Sequence, residues 1–316
     1  MPDRDDLILA EVVRGGVVES VHRGHAVVVD ASGEIVRSWG DPVQPILPRS
    51  ALKPAQAAAM VASGLDLQDE LLALAAASHS GEPFHREGAA RILADAGVDP
   101  EFLATPPDLP YDPVEREAYL AAGGMRSRLA MNCSGKHAAM LRTACRNGWS
   151  LEGYVNPDHP LQERIRDTIT VLAGEQPWTT VVDGCGAPLF GVSLVGVARI
   201  GSALVTAEPG SPEHQVVTAM RSNPTWVGGT RRDSSALMSG LPGTIAKEGA
   251  EGVYLVALGD GRSIALKIED GADRARPVMM ATILRSLGVE APVVAQQSSS
   301  PVWGGEQVVG EIRGVC

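Results

Sequence analysis

The chain has 316 residues, 44% of them hydrophobic and 21% charged, with a formal net charge of −11. That length supports a sizeable core in one large domain or two small ones, and the acidic balance argues against a nucleic-acid binder, which needs clustered Lys and Arg. Four cysteines, no apolar run long enough to span a bilayer, and the acidic start Met1-Pro2-Asp3-Arg4-Asp5-Asp6 speak against a disulfide scaffold, a membrane anchor and a signal peptide, leaving a reducing cytoplasm as the simplest home.

Antiparallel strands are expected first, over 7–13, 17–22, 26–30 and 35–39, separated by the turn signal Gly15-Gly16 and a loop at 30–34. Helices then dominate: 50–63, 69–77, 85–96, 133–146 and 160–174. The proline-rich stretch 104–113 reads as extended loop. A buried strand over 181–186 should end in a sharp glycine turn and be followed by an apolar helix over 189–200. Helices at 212–221 and 233–239 flank a loop at 223–230. Segments 252–258 and 262–269 enclose Gly259-Asp260-Gly261 and form a β-hairpin. A helix over 273–287, a polar connector at 296–300 and an edge strand over 308–315 close the chain. No repeat or composition shift divides it, so residues 1–316 are read as one domain. Strands at both ends with helices between them predict an α+β fold: one antiparallel sheet of N- and C-terminal strands with helices packed around it.

Four segments place polar residues in apolar or glycine-rich surroundings. In Arg49-Ser50-Ala51-Leu52-Lys53-Pro54, Ser50 and Lys53 lie three apart and share a helix face. A serine needs an adjacent base, and a lysine becomes one only when burial or nearby positive charge lowers its pKa from about 10.4. The bland alternative is a helix-capping serine with a snorkelling lysine. The second segment is Ser78-His79-Ser80-Gly81-Glu82, where Ser80 can be a cap and His79 a satisfied core histidine. The third is Asn132-Cys133-Ser134-Gly135-Lys136-His137 and the fourth Asp183-Gly184-Cys185-Gly186. Cys133, Lys136, His137 and Met140 share one helix face. Cys133 and Cys185 with His137 satisfy the ordinary ligand rule for zinc, whereas Lys136 would first have to lose a proton. The alternative is two small buried hydrophobes and a surface charge. Cys145 and Cys316 look incidental. Lys247 and Lys267 are further candidates, Lys267 otherwise reading as a surface strand lysine.

Taken together in this order, these strings and Ala265-Leu266-Lys267-Ile268-Glu269-Asp270-Gly271 resemble the asparaginase II family, the Rhizobium-type (class 3) L-asparaginases, over nearly the whole chain. The resemblance implies a serine β-lactamase/glutaminase-like fold, hydrolysis of L-asparagine to L-aspartate and ammonia, and a homodimer. It implies one Ser-Lys tandem of Ser50 with Lys53 and a second of Ser80 with Lys267. It further implies a zinc ion on Cys133, Lys136 and Cys185, with Arg49, His137, Asp183 and Glu82 lining the substrate pocket. A cysteine that the family carries in the last hairpin is absent between Gly252 and Leu258. Three rival readings stand beside this one: a glutaminase or other serine amidohydrolase of the same fold, a metallo-amidohydrolase whose zinc-bound water attacks directly, and a non-catalytic zinc or thiol sensor.

Overall fold

Strands from the two ends of the chain pair with each other, as the sequence predicts. The computed structural model describes residues 7–315. Its strands are β1 (Ile8–Arg14), β2 (Val17–Val29), β3 (Ile35–Trp39), β4 (Pro45–Ile46), β5 (Thr179–Val182), β6 (Pro188–Ser193), β7 (Ile245–Gly249), β8 (Val253–Ala257), β9 (Ser263–Ile268), β10 (Ser299–Gly304) and β11 (Gln307–Gly314). The main sheet runs β10-β11-β1-β2-β9-β8-β7, with β3 paired to β2. Every pairing is antiparallel. β1 and β11 place Glu11 opposite Arg313, and an ion pair of 2.8 Å ties the two ends.

β7 and β8 are buried at every position, and β9 at all but Lys267, so the sheet centre is covered on both faces. The helices Leu194–Val205 and Arg276–Ser286 both pack on β8 and β9. A second sheet, β4-β6-β5, flanks the helical half. That half is alanine-rich: Lys53–Ala62 is buried from Lys53 through Met60, and Asp69–Ala75 from Leu72 onward. Small side chains let these helices approach closely, and the chain turns inside the core can carry polar groups into it. No helix among the described residues is long and apolar enough to cross a membrane.

Several expected elements differ. Residues 181–186 do not form a buried strand. β5 is an edge strand with Thr180, Val181 and Val182 exposed, because nothing pairs beyond it. The apolar run expected as helix 189–200 divides: its first part pairs as β6, and the helix starts only at Leu194, where Ser193 Oγ accepts from Gly196 N at 3.0 Å. β7 and the helix Pro113–Ala121 were not anticipated. The latter starts at Asp112, whose carboxylate accepts from Glu115 N. The 296–300 connector is shared between the helix Pro292–Gln297 and β10, and β10 rather than β11 is the sheet edge. Cys316 lies outside the described residues.

Candidate active site

Ser50 sits in a 3₁₀ turn, Arg49–Leu52, that runs into the helix Lys53–Ala62. With three residues per turn, positions i and i+3 stack above one another, so Ser50 lies over Lys53. Arg49 holds a left-handed φ of 53°, a conformation non-glycine residues adopt at a cost. The turn packs on the end of β7: a Cβ at Gly249 would overlap the Pro48 carbonyl oxygen and come within 3.3 Å of Ala51 N. Gly249→Ala is therefore expected to push the Ser50 turn outward. Catalysis falls steeply with sub-ångström displacement, so kcat/KM should drop on the order of 10–100-fold. Steady-state kinetics beside a melting curve tests this, and an undiminished kcat/KM would show that the turn's position is not critical.

Lys53 is buried, and its Nζ donates to Ala77 O at 2.6 Å, Ser78 Oγ at 2.8 Å and Cys133 Sγ at 2.9 Å. Ser78 is delivered by the chain leaving the apolar helix Asp69–Ala75. Ser50 is half-buried and its Oγ makes no hydrogen bond among the described residues. Ser50 and Ser78 line one small cavity of ≈ 60 Å³ with Asn132, Arg232, Glu248 and Arg276. The helix spacing thus does bring Ser50 and Lys53 into one neighbourhood, but the amine is held by Ser78 and a thiol.

The second buried amine of this neighbourhood is Lys247 on β7, which is 1% exposed. Its Nζ donates to Glu248 O at 2.9 Å and lies 3.5 Å from Glu248 Oε1. Burial pulls its pKa down to about 7; Lys53 and Arg232 push the same way, while Glu248 opposes. Burial by itself would raise the Glu248 carboxyl, but Lys247, Arg232 and Arg276 hold it well below the usual carboxylate range. Arg232 reaches Glu248 at 2.8 Å. An amine that can be neutral near pH 7 beside a charged neighbour is the arrangement general-base lysines require. Sequence reasoning named Lys247 but gave it no partner. The available signal was its place in Ile245-Ala246-Lys247-Glu248-Gly249, where a lysine–acid pair interrupts a strand between apolar residues and a glycine.

Cys133 precedes the helix Ser134–Arg146, and Cys185 sits in the tight turn closed by Gly186 N to Asp183 O at 2.8 Å, with Gly186 at φ 87°. Both thiols are buried and free. The hydrogen bond with Cys185, then burial, raises Cys133; the same bond, with help from Lys136 and His137, lowers Cys185 well below an ordinary thiol against the effect of burial. Negative charge in this pair is therefore favoured on Cys185 over Cys133, whose thiol has Asn132 Oδ1 as an acceptor at 3.3 Å. Lys136 Nζ lies 3.3 Å from Cys185 Sγ. Burial works to lower the Lys136 pKa, but the two sulfurs and Asp183 carry it above its ordinary value. His137 is buried; its Nδ1 meets Tyr154 Oη at 2.7 Å, while its Nε2 has no hydrogen bond. Arg49 Nε pairs with Asp183 Oδ1 at 2.6 Å, and Asp183 Oδ2 is 4.0 Å from Cys185 Sγ. The Ser50 turn and the thiol cluster are thereby joined through Arg49 and Asp183.

The structure does not bring Ser80 and Lys267 together. Ser80 is buried in the joint between two loops: its N donates to Gly228 O at 2.7 Å, its O accepts from Asp112 N at 3.0 Å, and its Oγ has no partner. Lys267 Nζ donates to Glu251 O at 2.6 Å and Ile268 O at 2.5 Å, and it faces a different cavity. Glu82 spends both carboxylate oxygens on Thr230, at 2.8 Å to its N and 3.0 Å to its Oγ1, so it fastens a loop. His79 is a core histidine, bonded to Ser134 Oγ at 2.9 Å and pushed well below its usual pKa first by burial. Among the described residues no three His, Cys, Asp or Glu side chains converge as a metal cage. Cys133, Lys136 and Cys185 form a three-donor set only with the amine included.

The sequence profile of the L-asparaginase II family matches residues 10–314. No curated protein matches the sequence. Among solved structures, a β-lactamase from Mycobacterium bovis superposes with a TM-score of 0.45 at 14% identity, covering 83% of this chain and 94% of its own. Mglu in its glutamate form gives 0.46 at 15% identity, covering 85% of this chain and 61% of Mglu. Simvastatin synthase from Aspergillus terreus gives 0.39 at 12% identity, over 87% of this chain and 93% of that one. Likenesses of this size carry no argument about chemistry.

Proposed function

The chain belongs to the L-asparaginase II family, and from that premise we propose that it hydrolyses the side-chain amide of L-asparagine to L-aspartate and ammonia through Ser50. The observation that carries this reading is one cavity lined by Ser50 and Ser78, with the buried amine of Lys53 bonded to Ser78 and a second buried amine, Lys247, shifted to about 7.

Ser50 Oγ attacks the amide carbon, forming a C–O bond as the carbonyl becomes an oxyanion held by backbone N–H groups, the Ser50 N–H among them. Ser78, bonded to Lys53, relays the serine proton toward the buried amines, of which Lys247, with its pKa of about 7, is the acceptor while Lys53 donates all three of its N–H groups; these residues stand in place of the Ser80 and Lys267 that the resemblance implied. Collapse breaks the C–N bond, and a lysine proton leaves with the nitrogen as ammonia. Water then attacks the acyl-enzyme and gives a proton to the lysine site; the acyl C–O bond to Ser50 breaks, Ser50 Oγ takes that proton back, and aspartate is freed. Arg49, Asp183 and His137 border this region.

Cys133, Lys136 and Cys185 would hold a zinc ion. The Cys185 thiolate suits it, and the Lys136 amine would have to give up a proton that its neighbours help it keep. Bound there, zinc supplies positive charge that positions substrate. Homodimer assembly, taken from the resemblance, and a cytoplasmic home, taken from the sparse cysteines, belong to the same reading, and sedimentation of purified protein measures the first.

The test is ammonia release from asparagine and glutamine, with nitrocefin as a β-lactam control, before and after chelation. The expected result is turnover of asparagine first, with chelation raising KM while an acyl-enzyme can still be trapped by rapid quench. Preference for glutamine would favour the glutaminase reading. Outright loss on chelation with no trapped acyl-enzyme would replace the serine mechanism with attack by metal-bound water. No hydrolysis at all, with thiol-dependent binding of another protein, would leave the sensor.

A further inference from the structure

A second cavity, of ≈ 380 Å³, opens on the other side of the Ser50 turn, between β4 and the end of β9. Two cations and two carboxylates line it: Arg49, Lys267, Glu251 and Glu269. Arg49 commits its Nε to Asp183, and its two terminal nitrogens carry no hydrogen bond among the described residues. Lys267 is anchored by two carbonyl oxygens, Glu251 O and Ile268 O, which leaves one N–H over. Glu269 Oε1 stands 3.5 Å from His25 Nε2, a contact too long to saturate the carboxylate. Pro45, Ile46 and Leu47 form an aliphatic wall.

We propose that this cavity binds a free α-amino acid by its zwitterionic head, the carboxylate on Arg49 and Lys267, the ammonium on Glu251 and Glu269, and a short side chain against the wall at 45–47. The four charges sum to zero, so a simple anion or cation meets as much repulsion as attraction, whereas a zwitterion is complementary at both ends. The volume exceeds that beside Ser50 several-fold (≈ 380 against ≈ 60 Å³), enough for a whole amino acid. The amine of Lys267, which sequence resemblance would have spent on catalysis, thereby acquires a different task. The proposal is independent of whether Ser50 is a nucleophile.

The experiment is calorimetric titration of the full chain with L-alanine, which has no side-chain amide to hydrolyse. N-acetylalanine, lacking the ammonium, and alaninamide, lacking the carboxylate, serve as blocked probes. L-alanine should bind wild type and Ser50→Ala equally. Each blocked probe should bind at least ~10-fold more weakly, and Glu269→Gln and Lys267→Met should each lose at least ~10-fold, a difference of about 1.4 kcal/mol. No heat up to ~100 mM L-alanine (affinity weaker than about 1.4 kcal/mol) overturns the proposal. So does equal affinity for the blocked probes, or binding that both variants leave unchanged, which would place alanine elsewhere. A Ser50→Ala protein that binds alanine but keeps its hydrolytic rate would sink the serine mechanism and leave this site standing.

Discussion

Ser50→Ala should release ammonia from asparagine at least ~10⁴-fold more slowly than wild type, the scale seen when a serine nucleophile is removed from a unit of cooperating residues. Its melting temperature should stay close to wild type, because Ser50 Oγ makes no hydrogen bond among the described residues and the side chain is only half-buried. Ser78→Ala is the informative companion. Ser78 accepts from Lys53 at 2.8 Å, so its loss removes a relay and leaves a buried amine short of a partner. A smaller loss in rate, on the order of 10²-fold, and a measurable loss of stability are expected. Stopped-flow ammonia detection and intact-protein mass spectrometry of quenched reactions read both. The assignment fails if Ser50→Ala keeps its turnover while Ser78→Ala abolishes it; the acyl group would then sit on Ser78.

Lys247→Met should remove activity by roughly 10³-fold, within the range of general-base losses, and should also change how stability depends on pH. In the folded chain the amine titrates near 7, against 10.5 for an ordinary lysine. Between those values the unfolded chain binds the proton and the folded one does not, so stability rises with pH across the window. Below pH 7 the full cost of burying the charge is present; above about 10.5 it is gone. Methionine never carries that cost. The melting temperature of Lys247→Met relative to wild type should therefore be higher near pH 6 and should converge on wild type as pH approaches 10. Arg232 and Arg276 remain to hold Glu248 when Lys247 is lost. The wild-type kcat/KM should rise through a limb near pH 7 that the variant lacks. A flat kcat/KM between pH 6 and 8, with a stability difference independent of pH, would return Lys247 to a structural role.

What the sequence disclosed follows from how local each relation is. The spacings Ser50 to Lys53 and Cys133 to Lys136 fix a shared helix face, so both pairs could be recognised without coordinates. The antiparallel sheet of terminal strands was legible because short turns join β1 to β2 and β8 to β9. Ser78 and Ser80 flank one histidine in a non-helical segment, and spacing cannot say which of the two turns toward Lys53. Ser78 does; Ser80 is held by the loop at 228–230. The choice between Lys247 and Lys267 needed the pairing of β7 with β8 and β8 with β9, which puts the two lysines on different strands of one sheet. β7 escaped notice because it is buried throughout and shows no alternation of polar and apolar residues. Glu248, Lys53 and Arg232, which set the charge around Lys247, come from separate parts of the chain and carry no joint pattern.

The ion pair between Glu11 and Arg313 spans 302 positions of chain. On the ribosome, β1 and β2 emerge before β9 and β11 and stay without them until the long intervening chain has been made. The exposed β-hairpin of a nascent chain is an invitation to pair with its neighbours on the same messenger. Yield in a recombinant host should therefore depend more on elongation rate and chaperone supply than on the stability of the finished enzyme, and stalled or C-terminally clipped chains should accumulate as aggregates.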